Sequence, residues 1–450
     1  MARSERKSGF GRRVVATVAA ASMVAGGFVV TSAAVAGAAS TTSSSGSTCK
    51  AAGTPTSSEL NSTTGLTKST VNVGNISIIS GPVPGLFEGA AVGAEAYMAY
   101  VNSKGGVNGR KIKVNSYDDA FSGTQNESEA KSAVGTDFAN VGSFSLFDNY
   151  SCNVLAENPA YPNVSVSLDP GTNSLKNTYS VQPLAQGAPL TGYQYLKGKY
   201  PKAIKHVANL VSNVETAITQ WHGQEAAMEH LGYHFSYVRE VSPVETNFTS
   251  DVINMKNAGV QMVLMTDGDQ QIFSALSAAM AQQGFHPQVV FSAGPIYDNH
   301  FVSAAGGAAN TKGYYLVQGS SLYLGQDAKS VPAVKTFDTW VEKVHPGFNI
   351  DLYTVYGWAS AALFVQALKA AGNSPTRGKL LTQLSKITNF PANNLIAPAN
   401  PAKKIPPNCV LFAQINSSGK FARIAPTKNS GFNCSGSYYS VHGTLPKVQS

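Results

Sequence analysis

Hydroxyl and carboxylate side chains follow the ends of predicted strands in the first half of the chain, where they could hold a polar solute. Ser143 and Ser145 come after one strand, with Phe144 between them, and Asp169 and Thr172 come after another. The hydroxyls could donate hydrogen bonds to a carboxylate beside the unpaired amides of the next helix. The alternative is that the serines cap that helix and that Asp169 only shapes a turn.

A second group of candidate side chains lies in the loops of the later strands. Asp267 and Asp269 are the acids of these loops, and they could hold a cation, an amine or sugar hydroxyls. They could equally cap the helix that follows. Asn213 and Thr216 lie before another helix, and Tyr297 lies in a third loop. Both groups indicate binding of a small molecule.

The sequence gives little support for catalysis, for a metal or for a cofactor. It lacks the nucleophile-elbow, dinucleotide and phosphate-loop patterns. His230 and His234 are four residues apart, but Gly232 interrupts the helix between them. Asp118 and Asp119 are adjacent where a predicted strand ends, and adjacent residues of an extended chain point to opposite faces. We therefore predict a protein that is not an enzyme and that has no metal site and no cofactor.

Composition favours a globular, exported protein. The chain has 450 residues, 43% hydrophobic and 13% charged, which is enough for two domains. Its formal net charge of +8 gives no argument for nucleic acid, because about half of the excess lies in the first 36 residues. Those residues, a basic patch followed by an apolar stretch, predict a signal peptide over 1–36, with a membrane anchor as the alternative. Residues 37–70 are rich in Ser and Thr and predict a flexible linker.

The four cysteines fit an oxidising compartment. They allow three pairings. We favour Cys409 with Cys434, which flank a predicted hairpin, and by elimination Cys49 with Cys152. A zinc site is the competing interpretation, but no two cysteines are close in sequence.

Strands and helices alternate along the rest of the chain, which predicts an α/β fold of doubly wound, parallel sheets. The predicted strands are 71–79, 111–117, 140–144, 164–168, 203–211, 234–241, 260–265 and 288–292, with a final hairpin of 409–415 and 420–425. The predicted helices are 88–102, 124–138 (capped by Thr124), 147–158, 186–199, 217–231, 248–257, 270–283, 331–345, 352–371 and 376–387.

Several short sequence motifs occur in a fixed order, three of them within the first βαβ unit. They are SGP at 80–82, NSKGGVNGRKI at 102–112 and YDDA at 117–120, and DLYTVYGWASAALFVQALKAAG follows at 351–372. Together they resemble the periplasmic binding proteins of type I, of the branched-chain amino-acid (leucine-binding) type that serve ABC transporters. The resemblance covers about residues 71–425.

The resemblance implies two doubly wound, Rossmann-like lobes joined by three crossover strands, with a ligand bound in the cleft as the lobes close. We expect the first lobe over 71–182 and 320–393, the second over 183–319 and 394–430, and a tail over 431–450. The crossings are expected near 179–183, 314–319 and 394–408. Phe87 takes the place of an aromatic residue that covers the ligand in the family.

The implied function is that of an extracytoplasmic solute-binding protein of an ABC-type importer. It would act as a monomer, capture a small polar or amphipathic ligand such as an amino acid, and pass it to a membrane permease. The alternative is a secreted sensory receptor module of the same fold.

Two departures put amino-acid specificity in doubt. Ala293-Gly294-Pro295 stands where amino-acid binders of the family carry a glutamate for the ligand ammonium, and Thr216 stands in place of a tyrosine. The family's first-lobe cysteine pair is also absent, with Phe121 and Ser145 at those positions. We expect either that Asp267 or Asp269 substitutes for the glutamate or that the ligand is not an amino acid.

Overall fold

Two large sheets with flanking helices carry the fold, and a small two-stranded sheet accompanies them. The computed structural model describes residues 49–184, 187–427 and 431–441. The strands of these residues are β1 (Thr70–Ser77), β2 (Lys111–Asp118), β3 (Ala139–Val141), β4 (Asn163–Val164), β5 (Gly187–Pro189), β6 (Val207–Ser212), β7 (Phe235–Val241), β8 (Met262–Met265), β9 (Val289–Ser292), β10 (Tyr315–Gln318), β11 (Leu411–Ile415), β12 (Phe421–Ala425) and β13 (Tyr438–Ser440).

Helices follow most of these strands, as in a doubly wound fold. The α-helices are α1 (Ser57–Leu60), α2 (Glu88–Ser103), α3 (Gly123–Thr136), α4 (Asp148–Glu157), α5 (Pro170–Ser174), α6 (Thr191–Lys199), α7 (Glu215–His230), α8 (Thr249–Asn257), α9 (Gln270–Gln282), α10 (Phe301–Ala304), α11 (Ala308–Thr311), α12 (Pro332–Val344), α13 (Leu352–Ala370) and α14 (Arg377–Leu384). The described part of the chain contains no helix with the length and apolarity needed to cross a membrane.

The strand order of the sheets confirms the predicted α/β class. The first sheet has the order β2-β1-β3-β4, and all of its pairs are parallel. The second has the order β12-β11-β10-β9-β8-β6-β7, in which the pairs from β10 to β7 are parallel and the β11–β12 hairpin adds an antiparallel edge. We call each sheet with the helices on it the first and the second lobe.

Helices from late in the sequence return to the first lobe, because α12 and α13 both contact α2. Helices α2 and α13 approach each other so closely that each of them needs a glycine at the contact. A Cβ on Gly93 would lie 2.0 Å from the Thr354 carbonyl oxygen, and one on Gly357 would lie 2.0 Å from that of Ala90. Since α13 is buried along most of its length, it forms the centre of the first lobe.

The chain passes between the lobes close to the predicted crossings. After β4, Tyr179 donates its backbone N–H to the carbonyl of Asn163 at 2.8 Å before the chain enters the second lobe. The outgoing and returning segments near 319–321 and 395–397 pair with each other. Ser321 N donates to the Leu395 carbonyl at 2.9 Å, and Ala397 N donates to that of Gly319 at 2.6 Å.

Three local predictions differ from the structure. Residues 187–189 form β5 instead of the start of a helix, because they pair with β13. The predicted strand over 203–211 begins with a 3₁₀ turn, Ala203–Lys205, so β6 starts only at Val207. Ser122, and not Thr124, caps α3 by accepting a hydrogen bond from the backbone N–H of Gln125.

Both predicted disulfide pairings are present. They attach part of the predicted flexible linker and part of the predicted tail to the lobes. Cys49 is bonded to Cys152 of α4, and residues 49–69, within the predicted linker, carry α1 and contact the first lobe. Cys409 is bonded to Cys434, so residues 431–441 of the predicted tail lie against the second lobe. The predicted signal peptide and linker residues 37–48 lie outside the described residues.

Candidate functional site

A cavity of about 340 Å³ lies between the two lobes and takes its walls from both. The first lobe contributes residues from the starts of α2 and α13 and from the loops after β3 and β4. The second lobe contributes residues from α6 and α7 and from the carboxyl ends of β6 to β9 and the loops after them, and the segments that join the lobes contribute further residues. The strands of both sheets thus present their carboxyl ends to one cleft, as expected for open α/β sheets.

The first-lobe wall is aromatic. Phe87 and Phe144 are buried with their ring centroids 4.6 Å apart, and Tyr353 lies 4.5 Å from the first ring and 4.9 Å from the second. Tyr356 stacks on Phe144 at 6.1 Å. Edge-to-face and stacked rings at these distances form a rigid apolar surface. This wall suits the hydrocarbon part of a solute.

A stripe of polar side chains on α7 forms part of the second-lobe wall. Thr216, Gln220 and Gln224 are spaced four residues apart and therefore share one face of the helix. The amide of Gln224 donates to the Thr266 hydroxyl at 2.7 Å and to Asp267 Oδ2 at 3.1 Å. The stripe thereby connects the helix to the loop after β8.

Asp267 presents one carboxylate oxygen to this network and leaves the other open. Its Oδ2 accepts hydrogen bonds from Asn209 at 2.8 Å and Thr266 at 2.6 Å, in addition to the one from Gln224. Its Oδ1 accepts none from any residue that the structure describes. Burial raises the pKa of Asp267 to about 6, which the three hydrogen bonds to the carboxylate oppose.

Asp269 has the capping role that the sequence offered as the alternative. Its Oδ1 accepts the backbone N–H groups of Gln271 at 2.8 Å and Ile272 at 2.9 Å at the start of α9. Burial raises the pKa of this carboxyl, and its hydrogen bonds to those amides oppose the rise. Because Asp269 also lines the cavity, capping and ligand contact are compatible for this residue.

Three hydrogen bonds join the lobes directly beside the cavity. The Thr216 hydroxyl donates to the Leu146 carbonyl at 2.8 Å, and the Gln220 amide donates to the Leu168 carbonyl at 2.9 Å. The Asn149 amide donates to Glu215 Oε2 at 3.0 Å. All three run between α7 and the first-lobe segment over 146–168, so the lobes are in contact on this side of the cleft.

Five of the predicted ligand-binding residues line the cavity: Phe87, Phe144, Thr216, Asp267 and Asp269. Ser143 and Ser145 do not. The Ser143 hydroxyl accepts from the backbone N–H of Ile76 at 2.7 Å and donates to Asn140. The Ser145 hydroxyl donates to buried Asp119 and accepts from the backbone N–H of Phe147, the residue before α4, so it neither lines the cavity nor caps that helix.

The remaining four predicted residues are also outside the cavity. Asp169 caps α5 and accepts hydrogen bonds from the backbone N–H and the hydroxyl of Thr172. Asn213 is exposed, and Tyr297 is buried against Tyr323 with its hydroxyl donating to Gln326. The structure therefore gives Ser143, Ser145, Asp169, Thr172, Asn213 and Tyr297 other partners or positions, and we leave them out of the proposed site.

Sequence reasoning missed Gln220, Gln224, Tyr353 and Tyr356. The first two could have been found, because they continue the four-residue spacing that begins at Thr216. The tyrosines give no such signal, since they lie in α13, whose sequence is apolar on nearly every face. In the described residues, the one cluster with metal-ligand spacing is Cys49, Cys152 and Asp169, and its cysteines are joined in a disulfide.

Curated relatives of the chain are amino-acid binding proteins. The Leu/Ile/Val-binding protein homolog 1 of Brucella suis is 27% identical over 297 residues, which are 63% of this chain and 73% of the relative. The amino acid binding protein of Pseudomonas aeruginosa is 25% identical over 303 residues, 63% of this chain and 75% of the relative.

Solved structures share the fold at low identity. A branched-chain amino acid ABC transporter protein from Thermus thermophilus, with bound valine, has a TM-score of 0.70 and 16% identity over 82% of this chain and 98% of its own. The fatty acid ABC transporter substrate-binding protein from Thermomonospora curvata has a TM-score of 0.68 and 17% identity over 85% of this chain and 96% of its own. At these identities the likeness shows the fold, which agrees with the fold class predicted from the sequence.

The family profile described as periplasmic binding protein matches residues 70–420, which is most of the chain and all of both large sheets apart from the edge strand β12. The same span contains both walls of the cavity. The proteins of this family are extracytoplasmic, and those that serve ABC transporters bind small molecules and dock on a membrane permease. The chain belongs to the periplasmic binding protein family.

Proposed function

We propose that this protein is the solute-binding component of an ABC-type importer and captures a small, partly apolar solute by closure of its lobes. The observation that carries the proposal is the cavity between the lobes, with an aromatic wall on one side and a hydrogen-bonding wall on the other. Its volume of about 340 Å³ lies at the lower end of the range typical of small-molecule sites.

Closure is coupled to binding because neither lobe forms the site alone. A solute that lies against Phe144 of the first lobe reaches Asp267 of the second only when the cleft is shut. Such a ligand favours the closed state by the contacts that it makes there and nowhere else. The two paired segments near 319–321 and 395–397 are short enough to absorb the rotation as a hinge.

Native mass spectrometry of freshly purified protein, followed by a thermal-shift screen, tests the proposal. The screen covers amino acids, their amides, amines, fatty acids and sugars. A ligand at one hundred times its dissociation constant is expected to stabilise the folded state by about 2.7 kcal/mol. Small-angle scattering with that ligand should show a decrease in the radius of gyration.

A cavity-filling variant separates binding in the cleft from binding elsewhere. Ala217→Phe places a ring in the cavity from the first turn of α7, whereas Ala226→Phe changes a half-buried alanine of the same helix that does not line the cavity. The first variant is expected to abolish the shift and the second to retain it. If both variants retain the ligand-induced thermal shift equally, the ligand does not bind between the lobes.

Transport is tested with the permease. Deletion of the gene in the source organism should abolish high-affinity uptake of the identified ligand, and the Ala226→Phe variant should restore uptake while Ala217→Phe should not. Normal uptake in the deletion strain, with loss of a transcriptional response to the ligand, would favour the sensory module instead.

A further inference from the structure

The charges on the cavity wall are all of one sign. Asp267 and Asp269 line it, and the other described lining residues include no lysine, arginine or histidine. A solute carboxylate in this cavity would be a buried negative charge beside two others, without a cation to balance it. Such an arrangement is unfavourable because burial and like charges both disfavour the ionised form.

The side-chain amides and hydroxyls of the second-lobe wall do not offset this charge. Gln224 and Thr266 already donate to Asp267, and Thr216 and Gln220 donate to first-lobe carbonyls. Each of these side chains therefore already donates to a protein acceptor, and Gln220 keeps one amide N–H that is neutral and cannot balance a charge. The lining tyrosine hydroxyls can donate or accept, and they carry no charge.

Two carboxylate oxygens on the wall are open acceptors. Asp267 Oδ1 and Asp269 Oδ2 accept no hydrogen bond from a described residue, although both carboxylates line the cavity and residue Asp269 is only 8% exposed. A buried acceptor without a donor is costly, and a donor on the ligand would satisfy it. An ammonium group would satisfy it and balance the charge.

We propose that the cleft selects an apolar primary amine that lacks a free carboxylate, with its ammonium on Asp267 and its hydrocarbon body on the aromatic wall. This inference deepens the proposed function and rests on it, since it names the solute class of the same cavity. It distinguishes the chain from a binder of fatty acids or of free amino acids.

Isothermal titration with two head-group series tests the inference on the wild-type protein. The first series is 3-methylbutylamine, leucine amide, leucine and 4-methylpentanoate, and the second is 2-phenylethylamine, phenylalanine amide, phenylalanine and 3-phenylpropanoate. In at least one series the amine is expected to bind at least about 10-fold more tightly than the matched carboxylate, since an adjacent opposite charge shifts an ionisation equilibrium by about one unit or more.

Asp267→Asn is expected to reduce amine affinity by about 10-fold or more and to leave the carboxylate unchanged or bound more tightly. Glu240→Gln, on β7 and outside the cavity, removes the same charge from the second lobe. It is expected to change neither the affinity for the amine nor that for the carboxylate. Circular dichroism verifies that both variants fold, and the wild-type series remains decisive if the asparagine variant does not.

Two results would overturn the inference. One is a carboxylate that binds as tightly as its matched amine, and the other is the absence of amine binding in both series. Either result leaves solute capture intact if the mass-spectrometric screen finds another ligand that the Ala217→Phe variant loses. Failure of that screen with every class is, by contrast, a failure of the proposed function itself.

Discussion

The two walls of the cleft differ in whether their polar side chains face the cavity. On the first-lobe side, Ser143 and Ser145 turn inward and find partners within the lobe, which leaves Phe87 and Phe144 to face the cavity. On the second-lobe side, Asp267 faces the cavity and keeps one oxygen open. The first wall can therefore recognise shape and apolar surface, and the second can recognise charge and hydrogen bonding.

The difference indicates where specificity is set. Apolar contact discriminates weakly between solutes of similar size, whereas a buried polar group that needs a partner discriminates strongly against a solute without one. We therefore expect substitutions in the first-lobe wall to change affinity and stability together. Substitutions in the second-lobe wall should change the choice of ligand.

The largest effect is expected from Phe144→Ala, which removes a ring that contacts three other aromatic side chains. The free energy of unfolding should decrease by about 3–5 kcal/mol because the change leaves a cavity in a packed cluster. Chemical denaturation measures this loss. Ligand affinity should also decrease, for every solute that binds and regardless of its head group.

Phe248→Ala in the second lobe is the matched control, since that ring is also buried but does not line the cavity. It should destabilise the protein to a similar degree while ligand affinity, measured below the unfolding transition, stays unchanged. If both variants lose affinity equally, the aromatic wall has no specific role in binding.

A smaller effect is expected from the pH dependence that Asp267 introduces. Its pKa is raised by burial from 3.8 to about 6, so between these values the folded state binds a proton that the unfolded state has released. The free energy of unfolding should therefore decrease as the pH rises from about 4 to about 6, by at most about 3 kcal/mol.

The measurement is chemical denaturation of wild type and Asp267→Asn at intervals from pH 4 to pH 7. Burial also raises the pKa of Asp351 to about 6 and that of Asp338 to about 7, so only the difference between the two proteins isolates Asp267. The variant should gain stability relative to wild type as the pH rises. A difference that does not vary with pH would show that Asp267 ionises at its ordinary pKa.

The smallest effect is expected from Thr216→Val, which removes the hydroxyl that donates to the Leu146 carbonyl across the cleft. Loss of one such hydrogen bond costs about 1 kcal/mol, which corresponds to about a fivefold larger open population. Hydrogen exchange over residues 214–221 should accelerate accordingly. Thr219→Val on the same helix does not line the cavity and should leave the exchange rate unchanged.

The sequence predicted the fold well and the site only in part, and the reasons are local. Asp267 and Asp269 were predicted because side chains after parallel strands meet at one edge of the sheet. Ser143 follows the same rule but is directed into the lobe, because Gly142 has a φ of 76° and turns the chain there. Strand alternation cannot anticipate such a turn.

The two glutamines of α7 and the two tyrosines of α13 that were not predicted from the sequence lie within helices and not in the loops after strands. Gln220 and Gln224 lie well inside α7 and not in the loop after a strand, where binding side chains are expected, although their spacing from Thr216 is regular. Tyr353 and Tyr356 belong to a helix that is apolar on nearly all sides, so no periodicity separates the residues that face the cavity from those that face the core.

The three hydrogen bonds between α7 and the first lobe have a consequence for kinetics. We expect a solute to reach Asp267 only after the bonds from Thr216 and Gln220 have broken, because the residues that form them also border the cavity. In stopped-flow experiments the observed association rate should thus approach a plateau at high solute concentration. The height of that plateau reports how often the protein opens by itself.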